Sequence, residues 1–264
     1  MLPTLALGPL HVNTYAFVYA VAIVGCGMLA FHRLLASGSP AGWVVEGLGF
    51  TVLAGMVGTV VGFALIRWVT GPSPVGTFAL HLRSGSTIFG ALTFGGLAGF
   101  GYCKRRGLSA GEHFDRGIVA LPLGQAIGRL GCLAAGCCYG RETDSWLGMN
   151  LPDAGGLWAA RYPTQLLSSV ADLAIFAVLL TIERCGSRAV GTVGRWPFPG
   201  FLTLLYSGLY FAKRFAIEFL RGDDAVVLSP LTWAHVLSLF GLALTAVLLA
   251  VNLARVRCAR RPSA

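Results

Sequence analysis

The sequence predicts an all-α membrane protein with about seven transmembrane helices, its N-terminus outside and its C-terminus in the cytoplasm. Of its 264 residues, 55% are hydrophobic and 12% are charged, and the mean hydropathy is +0.72. Soluble domains carry about 25% charged residues, so this composition favours a polytopic membrane protein. No linker or low-complexity tract divides the sequence, and we therefore expect residues 1–264 to form a single integral membrane domain.

Seven apolar stretches are long enough to cross a bilayer, which takes about 20 helical residues. The third and fourth stretches are rich in glycine. Arginines within the fourth and sixth stretches cannot face lipid, so we expect them to point into the helix bundle. The predicted spans are residues 15–35, 43–69, 85–103, 117–138, 164–182, 198–220 and 231–254.

The basic residues divide unequally between the two sides of these spans, twelve against five. Cytoplasmic loops carry the excess of Lys and Arg, which gives the predicted orientation. The net charge of +9 lies in short loops rather than on one basic stripe, so we expect no nucleic-acid partner. The richer side holds Arg33, Lys104, Arg105, Arg106, Arg116, Arg184, Arg188, Arg195, Arg255, Arg257, Arg260 and Arg261, and the other holds Arg67, Arg83, Arg141, Arg161 and Arg221.

The segment Gly128–Arg141, GRLGCLAAGCCYGR, places polar chemistry inside the fourth span. A guanidinium such as that of Arg129 is costly in lipid and indicates a functional site with an anionic partner. Tyr139 lies in the same run. Gly131 and Gly140 lack side chains, so a backbone or a ligand can approach them closely. The segment therefore predicts an anion site at membrane depth.

The sixth span carries Tyr210, Arg214, Glu218 and Arg221 at spacings of four, four and three residues, which puts all four on one helical face. In one interpretation Arg214 and Glu218 merely neutralise each other and Arg221 lies at the membrane interface. In the other, Arg214 joins Arg129 to form a forked receptor for phosphate, a geometry that bidentate arginine suits.

Three weaker features are each open to two interpretations. Gly95, Gly96 and Gly99 predict a smooth groove on the third helix, or close helix packing. Gln165, in the motif RYPTQLL, is expected to enter the bundle. Tyr15 is expected at the outer mouth of the first helix, where it contacts substrate or serves as an aromatic anchor.

The thiols of Cys132, Cys137 and Cys138 form the one cysteine cluster in the sequence. A structural zinc site needs four ligands, which His113 or His235 would supply only if the bundle brought them close. A disulfide with another thiol and simple apolar packing are the other interpretations. We expect neither a metal nor a cofactor.

Together these motifs resemble the prolipoprotein diacylglyceryl transferase family, multi-pass enzymes of the bacterial inner (plasma) membrane. The resemblance implies that the phosphatidylglycerol head group enters from membrane lipid and that Arg129 and Arg214 hold its phosphate. A lipobox cysteine thiolate of a prolipoprotein signal peptide then attacks the glycerol carbon, and glycerol-1-phosphate leaves. The motifs are Gly8, Pro9 and Tyr15, GGLAG at 95–99, GRLG…G…YG at 128–140, YPTQL at 162–166, and the series Tyr210, Arg214, Glu218, Arg221.

The resemblance also implies roles for individual residues. It gives catalytic roles to Arg129, Arg214 and Glu218. His235 stands where the family has an amide, and it is a candidate for a replacement base. It implies substrate binding by Tyr15, Gly95, Gly96, Gly131, Tyr139, Gly140, Gln165, Tyr210 and Arg221.

The sequence departs from the family pattern at several polar positions. Phe94 or Phe89 stands where the family has a histidine, Cys132 and Cys137 where it has Asn and Glu, Ser168 where it has a carboxylate, and Val60 where it has an arginine. Three interpretations follow: a divergent transferase, a non-catalytic phospholipid-binding homologue, or a redox membrane protein that uses its thiols.

Overall fold

The computed structural model describes residues 4–7, 10–70, 87–153, 155–190, 196–222, 226–228 and 231–259. Gly8 and Pro9 of the opening motif lie outside these residues, as do Arg83, Arg195, Arg260 and Arg261 of the charge count. The described helices are α1 (Thr14–Leu35), α2 (Ala41–Thr70), α3 (Thr87–Arg105), α4 (Ala110–Ile118), α5 (Ala120–Ala135), α6 (Thr164–Val190), α7 (Phe201–Glu218) and α8 (Trp233–Ala259).

The protein is a mostly helical, multi-pass membrane protein. Among the described residues, five helical segments are long and apolar enough to cross a membrane: Thr14–Leu35, Ala41–Gly62, Ala110–Ala135, Thr164–Gly186 and Trp233–Cys258. The remaining two predicted spans form the helices α3 and α7. Helix α3 is glycine-rich, and α7 carries Lys213, Arg214 and Glu218, which lowers its apolar character.

The fourth predicted span, 117–138, is displaced in the structure. Its helical segment begins earlier, at Ala110, and α5 ends at Ala135. Gly136 has a φ of +70°, and its N–H reaches the carbonyls of Cys132 and Leu133, which closes the helix. Cys137 and Cys138 therefore lie in the turn beyond the helix rather than within it.

Three antiparallel two-stranded hairpins accompany the described helices, although only helices were expected from the sequence. They pair β1 (Thr4–Leu7) with β2 (Leu10–Asn13), β3 (Met149–Pro152) with β4 (Trp158–Arg161), and β5 (Val226–Leu228) with β6 (Leu231–Thr232). One precedes α1, one joins α5 to α6, and one joins α7 to α8. Since these helices alternate in direction, all three hairpins belong to one end of the bundle, called here the hairpin end.

Glycines bring neighbouring helices into backbone contact. Helix α2 packs along α3, where Gly58 meets Gly90 and a Cβ on Gly95 would lie 3.0 Å from the Thr51 carbonyl oxygen. Helix α5 packs along α1, where a Cβ on Gly131 would lie 3.2 Å from Val18. Gly95 and Gly131 thus serve the small-residue helix packing that was the alternative to substrate contact.

Ion pairs and caps fix the opposite end of the bundle. The Arg33 guanidinium contacts Glu183 at 2.5 Å and donates from Nε to the Arg116 carbonyl at 2.8 Å. Asp115 accepts hydrogen bonds of 2.8 Å from the backbone N–H groups of Gly200 and Thr203, which satisfies the first turn of α7. These contacts set the position of α7, the helix that carries most of the charged residues of the site.

Candidate functional site

A narrow cleft lies between α5, α6 and α7 near the hairpin end. Its empty space is about 240 Å³, including the part open to solvent. Four cationic side chains line it, and charges inside an apolar bundle need anionic partners. The lining residues are Arg129, Cys138, Thr164, Ser168, Lys213, Arg214, Ile217 and Arg221.

The carboxylate of Glu218 organises two of these cations. It contacts Arg214 one turn earlier on α7, and its Oε2 lies 3.9 Å from Nε of Arg221. The Thr232 hydroxyl donates a 2.6 Å hydrogen bond to its other oxygen. Arg214 and Glu218 are 1% and 3% exposed, so the two guanidiniums are held in fixed directions rather than by flexible surface contacts.

Arg129 reaches the cleft from α5, whereas Arg214 reaches it from α7. In the described part of the chain it makes no ion pair and no side-chain hydrogen bond, although Cys138 and Arg221 lie within electrostatic reach. An arginine fork that has no carboxylate partner is matched to a phosphate or another planar anion. The arrangement therefore combines one available guanidinium with two that Glu218 orients.

Lys213 and Asp172 form a buried ion pair that the sequence analysis did not single out. The Lys213 ammonium lies 2.5 Å from Asp172 Oδ1 and 4.7 Å from the centre of the Tyr210 ring. Asp172, on α6, is fully buried. Two opposite charges inside two apolar spans are a signal that could have predicted the contact, because a membrane charge needs a partner.

His235 lies beside Glu218 but does not line the cleft. Its Nδ1 accepts a 3.1 Å hydrogen bond from the Thr232 backbone N–H at the start of α8. Its ring packs on Phe215 and Phe219 at centroid distances of 5.2 and 4.3 Å. Acceptance by a side chain three residues into a helix is a capping-box arrangement, so His235 positions Thr232 and through it Glu218.

The segment after α5 is joined by backbone hydrogen bonds to the segments that precede α6 and follow α7. The Gly140 N–H donates to the Tyr162 carbonyl at 3.1 Å, and the Arg141 N–H donates to the Leu220 carbonyl at 2.9 Å. A Cβ on Gly140 would lie 2.9 Å from the Leu220 oxygen and closer still to the Tyr162 oxygen. Gly140 therefore allows the chain segments before α6 and after α7 to approach it closely, which is a supporting role.

Side chains in the first turn of α6 bind the same segment. Thr164 Oγ1 donates to the Cys138 carbonyl at 2.5 Å, and Gln165 Nε2 donates to the Cys137 carbonyl at 2.8 Å. Gln165 enters the bundle as the sequence predicts, fully buried, but its amide binds backbone rather than reaching the cleft. The same contacts place the thiol of Cys138 in the cleft wall.

Comparison with known proteins shows the family of the chain. Residues 3–251 match the family model described as prolipoprotein diacylglyceryl transferase. The chain belongs to the prolipoprotein diacylglyceryl transferase family. It is 29% identical to phosphatidylglycerol–prolipoprotein diacylglyceryl transferase 2 of Clostridium perfringens over 88% of this chain and 87% of that protein. It is 30% identical to the transferase of Chlorobaculum tepidum, over 81% of this chain and 75% of that protein.

In this family member the structure separates residues of the cleft from residues that support it. Of the predicted site residues, Arg129, Arg214 and Arg221 line the cleft. Glu218 and Tyr210 do not line it, but each contacts a side chain that does. The supporting residues stand farther away. Tyr15 packs on the cysteine cluster, and the Tyr139 ring lies under the Arg161 guanidinium. Unlike Gly95, Gly96 has no atom within 4 Å of the position that a Cβ would take.

Two of the departures from the family pattern fall on informative places in this transferase. Ser168, at the expected carboxylate position, lines the cleft, so a hydroxyl there adds no negative charge opposite the arginines. Phe89, one candidate for the missing histidine, stacks on Phe211 of α7 at 6.1 Å. Phe89 therefore packs α3 against α7 and is not among the residues that line the cleft.

Proposed function

We propose that the chain transfers the diacylglyceryl group of phosphatidylglycerol to the lipobox cysteine thiol of a prolipoprotein signal peptide, and that the cationic cleft is where this happens. The reaction forms a carbon–sulfur bond at the diacylglyceryl carbon and breaks the bond from that carbon to the phosphate oxygen. Glycerol-1-phosphate leaves with the bonding electrons, and the thiol proton passes to water or to a base. The names of the relatives and the cleft's charge support this proposal.

Arg129 is the observation that carries the proposal. It offers an arginine fork without a carboxylate partner in the described residues, and Arg214 lines the same cleft. Together they hold the lipid phosphate and stabilise the charge that grows on it as the carbon–oxygen bond breaks. Such preorganised cations act strongly in a site from which water is excluded. Lys213, held by Asp172, adds a further positive charge to the same wall.

The supporting residues keep these cations in place. Glu218 orients Arg214 and Arg221, and His235 positions Glu218 through Thr232. The peptide thiol then becomes a thiolate in a field of four cations, since nearby positive charge favours the charged form of an acid. His235 as the base is the alternative, and its Nδ1 is already occupied by the Thr232 N–H.

For the whole chain we propose seven spans, with the N-terminus outside, in the bacterial inner membrane. Helices α3 and α7 complete the seven, with α4 and α5 crossing as one. The hairpin end then faces outward and the end that holds Arg33 and Arg116 faces the cytoplasm. The excess of Lys and Arg on that side supports this orientation.

Transfer in vitro tests the proposal. The purified chain is incorporated in phosphatidylglycerol vesicles with a synthetic lipobox peptide, and mass spectrometry follows the peptide. We expect a diacylglyceryl thioether on the cysteine, and none on a matched peptide that carries serine. Lipid binding without transfer would favour the non-catalytic homologue. Disulfide exchange with the peptide, without a lipid adduct, would favour the redox alternative that the gathered thiols raise.

A further inference from the structure

The backbone after α5 brings the sulfur atoms of the three clustered cysteines close together. The sulfur atoms of Cys132, Cys137 and Cys138 are all within 4.8 Å of one another. The positive φ values of Gly136, +70°, and Cys138, +60°, turn the chain back so that the two later thiols face the first. A non-glycine residue in this backbone region is uncommon and is held there by its surroundings. Here Thr164 bonds the Cys138 carbonyl.

Their spacing fits a small soft cation. Three thiolates bound to one ion at about 2.3 Å in a trigonal plane lie about 4 Å apart, so the cluster needs only a slight closure. In the group that the described residues form, no fourth His, Cys, Asp or Glu joins these three. Structural zinc almost always takes four protein ligands. Monovalent copper is soft, favours thiolates and accepts three of them.

The surrounding charge favours the loaded form. Three thiols that bind one copper(I) ion release three protons to solvent, and the resulting three-thiolate group carries two negative charges. Arg129 lies within electrostatic reach of Cys132 and Cys138, and Arg221 lines the same cleft as Cys138. This nearby positive charge favours the thiolate form of the cluster. His113 is no fourth ligand, because some 19 helical residues separate it from Cys132, about 28 Å at 1.5 Å per residue.

We propose that Cys132, Cys137 and Cys138 form a three-thiolate binding site for copper(I). The site stands on the sulfur geometry and on the adjacent guanidiniums, and it does not require the transferase activity. It differs from the sequence expectation of no metal because spacing alone did not show that Gly136 and Cys138 fold the three thiols together.

Competition for copper(I) tests the site. The full chain in detergent, kept reduced with ascorbate, is titrated with copper(I) against the chromophoric chelator bicinchoninate. We expect one tightly held ion per chain, and X-ray absorption at the copper edge should show three sulfur neighbours. The matched control replaces the other four cysteines, Cys26, Cys103, Cys185 and Cys258, with serine, and it should keep the ion.

The cluster variants decide the outcome. Cys132→Ser and Cys138→Ser, shown by size-exclusion chromatography and circular dichroism to be folded, should each lose the tightly held ion. Cys132→Ala provides a second variant if the serine disturbs folding. The proposal fails if the wild-type chain does not compete with the chelator, if the folded cluster variants keep the ion, or if the four-serine control loses it. A site that binds zinc(II) but not copper(I) would also overturn it.

Discussion

Thr232 donates a 2.6 Å hydrogen bond to Glu218, and so it joins the first turn of α8 to the ion pairs of α7. Glu218 in turn contacts Arg214, and all three residues are buried. The direction of the Arg214 guanidinium therefore depends on a second helix as well as on its own. This connection explains how α8, which contributes no residue to the cleft lining, affects the site.

Removing the charge of Glu218 should destabilise the protein strongly. Glu218→Gln removes the carboxylate charge that two buried guanidiniums contact, and breaking a buried pair in this way costs about 3–5 kcal/mol. Thermal unfolding in detergent measures the effect. The control is Glu46→Gln, whose contact with Arg106 is one-third or more exposed on both sides and is worth less than about 1 kcal/mol. Equal losses of stability in the two variants would contradict the role given to Glu218.

Gly140 should not tolerate a side chain. In Gly140→Ala the new Cβ meets the carbonyl oxygens of Tyr162 and Leu220, and overpacking of this kind costs about 1–3 kcal/mol. We expect a lower unfolding temperature and a loss of transfer, because the backbone around Gly140 must shift. Gly101→Ala, on α3, is the matched control because nothing lies within 4 Å of its added Cβ. An unaffected Gly140→Ala would show that the backbone crossing is not needed.

His235 should act through its hydrogen bond rather than through proton transfer. The Asn side chain can accept from the Thr232 N–H as Nδ1 does, so His235→Asn should retain most activity with an unchanged pH–rate profile. His235→Leu removes the acceptor and should lower kcat. If His235 were the base, both variants would lose an ascending limb near pH 6–7, roughly the ordinary range of histidine. That result would make His235 the replacement base that its place in the sequence suggested.

The helices were predictable because their apolar stretches are long. The first span, 15–35, differs from α1 by one residue, and the fifth begins where α6 begins, at Thr164. The fourth was wrong at both ends. It starts earlier because α4, from Ala110, is too polar to stand out as a membrane span, and it ends earlier because the left-handed Gly136 closes the helix. The hairpins escaped prediction because strands of two to four residues carry too little periodicity to stand out from the flanking apolar spans.

The site was predictable where charge stands out against lipid. Arg129, Arg214 and Arg221 were found because each lies in or beside an apolar span, and the structure brings them to one cleft. Contacts between distant segments were not predictable from the sequence. The link from His235 to Glu218 runs through Thr232 at a helix start, and Gly95 was open to two interpretations until α2 was seen against it.

Topology is measurable directly. Reporter fusions after Asp153 and after Arg257 should report the outside and the cytoplasm, respectively. Asp153 follows β3 at the hairpin end, and Arg257 lies in the last turn of α8, which starts at that end and runs some 27 residues, about 40 Å, away from it. A fusion pair that reports the same side would contradict the proposed arrangement of seven spans.

The central claim is that Arg129 binds the lipid phosphate, and the rate of transfer from phosphatidylglycerol by Arg129 variants tests it most directly. Arg129→Ala should lower kcat/KM by about 10- to 100-fold, since a hydrogen bond to a charged group is worth about 1.5–3 kcal/mol. Arg129→Lys should recover little, because a point charge lacks the fork. Folding should be unchanged, as Arg129 forms no ion pair with the described residues. A folded Arg129→Ala variant that transfers at the wild-type rate would contradict the account.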